Sequence, residues 1–230
     1  MAGALTAITA HGATTPDVDA LIARLARPAP ATVAFTEVRF SPLLKQPLIV
    51  SGELGYAGAT HLDRRVLTPY REQTAIRGDS VRVEREGEPA RSFALKRAPE
   101  LRGLLNGFTA LLAGDAVAIR RNFDAAVTGA EDGWRLELTP TDARARRRLK
   151  RIIVSGAADE PRCFSMLNAD GGASVMLLGE TAETKPAPDV TLEALQERCE
   201  PGLGARGAGR GSDQGRGAGG AGRGSEKDSI

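Results

Sequence analysis

Several things are scarce in this chain, and each scarcity closes a route. Aromatic residues are 4% of the 230 positions, so any core must be built from Leu, Val, Ile and Ala. Histidine occurs only at His11 and His61 and cysteine only at Cys163 and Cys199, none at metal-ligand spacing, so no metal or other cofactor is expected. No apolar run approaches the roughly 18 residues that cross a bilayer as a helix. Charge is nearly balanced at a formal +2, too little to call for a nucleic-acid or membrane partner for the chain as a whole. The sequence also lacks a G-x-S-x-G elbow, an H-E-x-x-H pair, a P-loop and a dinucleotide fingerprint. His61 and Asp63 share a strand face, but a surface ion pair is the expected reading of them, and no enzyme is expected.

What is present is alternation. The run GELGYAGATHLDRRVLTPYREQTAIRG at 52–78 leaves no room for a helix. Leu54 and Tyr56, then Leu62, Arg64 and Val66, then Thr74 and Ile76 recur at period two, the mark of strands with one buried and one wet face. Strands are predicted at 31–40, 48–56, 62–68, 72–77, 80–85 and 91–96, and again at 122–127, 134–139, 149–155, 163–168 and 173–179. Glu131-Asp132-Gly133 and Asp170-Gly171-Gly172 read as hairpin turns.

Three stretches change period. Thr15-Pro16-Asp17 predicts a helix start, with Thr15 as cap, and Val18, Leu21, Ile22 and Leu25 form its apolar stripe. Leu101, Leu104, Leu105, Phe108, Leu111 and Leu112 form a broad helical face between Pro99 and Gly114. Gly103 and Gly107 inside it each cost about 1 kcal/mol relative to alanine, so they imply close approach to a neighbour or a segment that shifts. A last helix is predicted at 190–200, with Asp189 as cap and Pro201 as stop.

The ends differ from the middle. MAGALTAITAHGATTPD reads like the back end of a secretory signal, with acceptable cleavage after Gly12 or Ala13, but it lacks a basic n-region and a full apolar region. It is either a signal remnant or a disordered Ala-rich start. Residues 201–230 are Gly/Arg-rich, cannot bury a core and are expected to be disordered. They carry no aromatics for base stacking and include Asp213, Glu226 and Asp228, so nucleic-acid binding is not expected. One domain over 16–200, between residues 1–15 and this tail, is the expected organisation.

The order of elements, one helix, about six strands, a Leu-rich helix and about five more strands, resembles the LolA/LolB fold. The residues that carry the resemblance are the glycines, Leu54, Pro69 and Gly78 of the 52–78 run. Thr109-Ala110-Leu111-Leu112-Ala113-Gly114-Asp115 is similar to the family's LLxGD segment, and Leu136-Glu137-Leu138-Thr139-Pro140 to its L-x-P strand end. The resemblance covers about 18–180. It implies an α+β protein, an unclosed antiparallel half-barrel of about eleven strands under a helical lid. The family's strand-end Arg-Pro falls here on Gly58-Ala59, and its following aromatics fall on Leu62 and Arg64. The arginine that bonds to the lid in well-known carriers is therefore missing, which marks a divergent member.

The resemblance further implies a periplasmic, monomeric, non-enzymatic carrier. It would shield the acyl chains of a lipoprotein or a glycolipid between an inner-membrane donor and an outer-membrane acceptor. The implied lipid-binding residues are Phe35, Leu54, Tyr56, Leu62, Val66 and Ile76 on the sheet, with Leu101, Leu104, Leu105, Phe108, Leu111 and Leu112 on the lid. Each buried methylene contributes about 0.8 kcal/mol, enough to hold a long chain without any catalytic group. The same side chains would also serve a dry core, as in an interaction module. Export would permit a Cys163–Cys199 disulfide, whereas a cytosolic protein would keep two separate thiols. Finally, DARARRRLKR at 142–151 supplies Arg144, Arg146, Arg147, Arg148, Lys150 and Arg151. This segment is either a solvated hairpin loop or a docking surface for an acidic partner or anionic headgroups.

Overall fold

The alternating segments form eleven strands of one antiparallel sheet. In chain order they are β1 (Ala31–Phe40), β2 (Leu48–Tyr56), β3 (His61–Thr68), β4 (Glu72–Arg77), β5 (Ser80–Arg85), β6 (Arg91–Ala94), β7 (Phe123–Ala130), β8 (Gly133–Pro140), β9 (Leu149–Ala157), β10 (Glu160–Asn168) and β11 (Ala173–Leu178). This computed structural model describes residues 16–58, 60–97 and 99–200, without the side chains of 99–104 and 106. The expected signal remnant and Gly/Arg-rich tail lie outside the described residues.

The sheet order is β6-β5-β4-β3-β2-β1-β11-β10-β9-β8-β7. β6 and β7 are its two edges and do not pair, so the sheet is an open half-barrel. Because these edges are consecutive in sequence, the segment joining them must cross the sheet. It does so as a short 3-10 turn (Leu95–Arg97), α2 (Pro99–Leu112) and α3 (Ala116–Asn122). The first helix, α1 (Val18–Arg24), lies alongside. Its following Arg27 donates its backbone N–H to the Leu112 carbonyl at 2.8 Å, and Arg120 of α3 pairs with Asp19 at 2.7 Å. Leu21, Ile22, Leu111 and Ile119 then bury against Trp134, Leu136, Leu138, Ile152, Val154 and Phe164.

Gly107 explains the fit of α2. A Cβ there would stand 2.7 Å from the Phe123 ring, so only glycine lets the helix meet β7. Gly103 lies outside the described side chains. The other sheet face is covered by α5 (Glu180–Glu183) and α6 (Leu192–Cys199), where Val38, Val175 and Leu177 pack with Ala182 and Leu195. Cys163 and Cys199 are joined in a disulfide within that cluster.

Several local expectations are corrected. Asp17 caps α1, accepting from the backbone N–H of Asp19 and Ala20, whereas Thr15 lies outside the described residues. Thr191 caps α6 instead of Asp189, because it stands three residues before the Ala194 N–H it accepts from. The strand expected at 91–96 ends at Ala94 and tightens into the 3-10 turn. α3 occupies residues for which no element was expected and includes Asn122, expected to open a strand, with Asp115 as its N-cap. The basic 142–151 segment is not a plain hairpin loop. It contains a short helix, α4 (Ala143–Arg146), capped by Asp142, whose carboxyl the backbone N–H of Ala145 and Arg144 hold below its usual value.

Candidate functional site

Pairing register places the expected sheet residues on one face. Val33 stands opposite Leu54, Phe35 opposite Gly52 and Ala31 opposite Tyr56. Gly52 in turn faces Val66, and Tyr56 faces Leu62, which faces Ile76. Since side chains alternate along a strand, Phe35, Leu54, Tyr56, Leu62, Val66 and Ile76 all occupy the concave face. Phe35 and Val66 are fully buried, Tyr56 and Leu62 nearly so, and Leu54 and Ile76 half-buried. Gly52 is fixed by the backbone: the β2–β3 register shifts beside it, and a Cβ there would strike the Arg65 carbonyl oxygen at 1.8 Å.

The concave face carries two apolar regions. Under the helices, Leu111 is buried and Phe108 packs edge-on against Phe164 with ring centroids 5.5 Å apart, within the cluster that includes Trp134 and Leu138. Beside it, Phe35, Val50, Val66 and Leu178 form a second cluster flanked by Leu54, Tyr70 and Met176. Among the described residues, no helix side chain belongs to this second cluster. Met176 touches both. Leu105 and Leu112 are half-buried, and the side chains of Leu101 and Leu104 lie outside the described residues. Five of the residues named from the sequence fall in these two adjoining clusters, which meet at Met176. Leu111 and Phe108 belong to the helix-covered core, and Phe35, Leu54 and Val66 to the adjoining floor.

An ion cluster stands on the same floor. Glu37, with its side chain 4% exposed, accepts from Arg39 through both carboxylate oxygens at 2.9 Å. It also accepts from Arg64 at 2.6 Å and from the Ser174 hydroxyl at 2.7 Å. Arg64 lies 5.0 Å above the Phe35 ring and reaches Glu72 at 3.5 Å. Glu72 pairs with Arg85 at 2.9 Å, and Arg85 stacks over Tyr70 at 4.3 Å. Burial pushes the Glu37 carboxyl up, but the Arg39 hydrogen bonds and the charges of Arg39 and Arg64, with the Ser174 hydrogen bond, outweigh it and hold it below its usual value. Glu37 is thus a fixed anion with its acceptor sites filled. Sequence reading passed over this cluster, although period two placed Glu37 on Phe35's face and Arg64 between Leu62 and Val66.

Other expectations resolve locally. His61 bonds to the Thr60 hydroxyl at 3.0 Å while Asp63 makes a two-pronged pair with Arg77 at 2.8 Å, so the His61–Asp63 ion pair does not form. Gly58, at the position of the family arginine, sits in the β2–β3 turn with φ +109°, a backbone conformation that favours glycine. Of the six basic residues, Arg144 and Arg146 lie on α4, with Arg147 and Arg148 following it. Lys150 and Arg151 belong to β9, and Arg151 pairs with Glu137 at 2.7 Å. Among the described residues, no cluster of His, Cys, Asp and Glu could hold a metal ion, and no helix is long and apolar enough to cross a membrane.

An open eleven-stranded sheet whose edges are bridged by helices over an apolar concave face defines a class of helix-covered half-barrels. The sequence matches the family described as outer membrane lipoprotein carrier protein LolA-like over residues 10–202, and the chain belongs to that family. No curated protein matches it. Similar solved structures include the LolA superfamily protein NE2245 from Nitrosomonas europaea, at 12% identity and a TM-score of 0.42, covering 76% of this chain and 96% of that one. LprF from Mycobacterium bovis is 12% identical with a TM-score of 0.36, covering 78% and 100%. The MucA/MucB complex from Pseudomonas aeruginosa gives 14% identity and a TM-score of 0.39, covering 76% and 60%.

Proposed function

We propose that this protein is a periplasmic, non-enzymatic carrier. It shelters the acyl chains of a lipoprotein or glycolipid on its concave face while they pass from an inner-membrane donor to an outer-membrane acceptor. It works as a monomer and needs no cofactor. The observation that carries this reading is the divided concave face. One half is closed by α1, α2 and α3, whereas the floor of Phe35, Leu54, Val66 and Leu178 has no partner among the described helix side chains. Acyl chains would lie along that floor, where each sheltered methylene contributes about 0.8 kcal/mol. The Glu37–Arg64–Glu72 cluster would mark where the apolar part of the cargo ends and its polar part begins.

Fluorescent fatty-acid binding tests the reading, with thermal stability read on the same samples. Leu54→Asp is expected to fold, because Leu54 is only half-buried, and to lose binding. Wild-type protein that never binds, stripped of lipid beforehand, would overturn the proposal. A second reading, an interaction module with a solid core, is favoured by the packing of Leu111 and Phe108 against Phe164 and Trp134. On that reading Leu54→Asp changes no lipid binding because there is none to change.

A further inference from the structure

In an antiparallel sheet the connections alternate between two ends, and here the ends differ. One end carries the connections at 57–60, 78–79, 131–132 and 158–159, whose charged side chains are Asp79, Glu131, Asp132 and Asp159. The segments entering β1 and leaving β6 bring Arg24, Arg27, Lys96 and Arg97 to the same end, where Arg24 pairs with Glu131 at 3.0 Å. The opposite end carries those at 41–47, 69–71, 86–90, 141–148 and 169–172. It includes Lys45, Arg71, Arg144, Arg146, Arg147 and Arg148. Of its acids, Asp142 caps α4 and Asp170 accepts from the Gly172 backbone N–H. Glu86 and Glu88 lie on the β5–β6 connection, far along the sheet from α4, where Glu88 pairs with Arg85 and Arg91.

That basic end also holds the most exposed large apolar side chain among the described residues. Leu43 is 93% exposed and Leu44 48%, at the tip of the β1–β2 connection. The exposure is built in. Leu44 donates its backbone N–H to the Ser41 carbonyl at 3.0 Å, and Leu43 donates to the Ser41 hydroxyl at 3.3 Å. Together these close a turn, between Pro42 and Pro47, that aims the two leucines away from the sheet. The turn is contiguous with the arginines. Pro42 approaches within 4.0 Å of where a Cβ on Gly171 would stand, and Ala169 of the same hairpin donates to the Arg148 carbonyl at 2.9 Å.

We infer that this end of the half-barrel docks on an anionic phospholipid bilayer. Leu43 and Leu44 enter the boundary between headgroups and acyl chains, while Lys45, Arg144, Arg146 and Arg147 contact lipid phosphates. Two features favour a bilayer over an acidic protein. The apolar element is a pair of leucines projecting from a turn tip, and it shares one end of the sheet with the arginines of and after α4. Apolar insertion combined with basic residues is the pairing that gives reversible binding to anionic membranes. The inference does not depend on what the concave face carries.

Vesicle co-sedimentation of the full chain tests it. The two membranes are phosphatidylglycerol mixed with phosphatidylethanolamine, and phosphatidylcholine alone. Wild type should sediment with the anionic vesicles and be released by salt. The double substitution Leu43→Ser, Leu44→Ser touches only exposed side chains and should weaken binding roughly tenfold at unchanged melting temperature. The triple substitution Arg144→Gln, Arg146→Gln, Arg147→Gln should abolish the preference for anionic over neutral vesicles. Wild type that ignores anionic vesicles, or variants that bind as wild type does, would overturn the inference. So would loss in the arginine variant with none in the leucine variant, which would assign the surface to an acidic protein.

Discussion

Replacing Glu37 with Gln probes the ion cluster on the concave floor. The carboxylate accepts from Arg39 at both oxygens, from Arg64 and from Ser174, and its side chain is 4% exposed. Glutamine keeps one acceptor oxygen and turns an NH2 group toward guanidinium donors, leaving Arg64 short of a counter-charge in a site where it is only 19% exposed. Removing one member of a buried pair costs about 3–5 kcal/mol. Arg39 is 40% exposed and keeps access to water, so the low end, about 3 kcal/mol, is expected. For a domain of this size that is a fall of roughly 6–12 °C in melting temperature. The pH dependence follows from the lowered carboxyl. Its contribution to stability is fully present above the unfolded value near 4.5 and is lost as pH falls through the lower folded value. Glu37→Gln should remove that part of the acid branch while lowering stability at neutral pH. Circular-dichroism melts from pH 7 downward measure both effects. A variant that melts within a degree of wild type at neutral pH, or acid branches of equal slope, would refute the reasoning.

Three further outcomes follow from packing. Reducing the Cys163–Cys199 disulfide, which closes a separation of 36 residues, should lower stability by about 4 kcal/mol in the chain-entropy model, read as the shift in urea midpoint with and without reductant. Gly107→Ala should destabilise the helix-covered core by about 1–3 kcal/mol despite alanine's better helix propensity, because its methyl meets the Phe123 ring; a more stable variant in the same urea titration would contradict this. Removing residues 202–230 should leave the melting temperature unchanged within a degree, since a Gly/Arg-rich composition offers no apolar stripe for packing; a drop of several degrees would contradict this.

Much of the fold was legible because period two is a local signal. Leu54, Tyr56, Leu62 and Val66 announce the concave face of β2 and β3 without any partner, and the helical spacing of 101–112 announces α2. What stayed hidden depends on register and short length. Arg64 sits in the buried row of β3, yet its role appears only when β1 lies two strands away and brings Glu37 within 2.6 Å. The covering of one half of the concave face was equally hidden, because α1, which helps to close it, is joined to α2 by contacts more than eighty residues apart. α3, α4 and α5, at seven, four and four residues, are too short to show a periodic stripe. The exposed Leu43-Leu44 pair looked like ordinary loop because only the turn around Ser41 determines which way it points.

The central claim, that the concave floor carries lipid, is met most directly by native mass spectrometry of the protein purified from a periplasmic fraction without detergent. The account predicts a series of adducts with the masses of acylated molecules, released on activation and reduced in Leu54→Asp. A single bare mass for the wild type, under conditions where a known lipid complex survives, would contradict it.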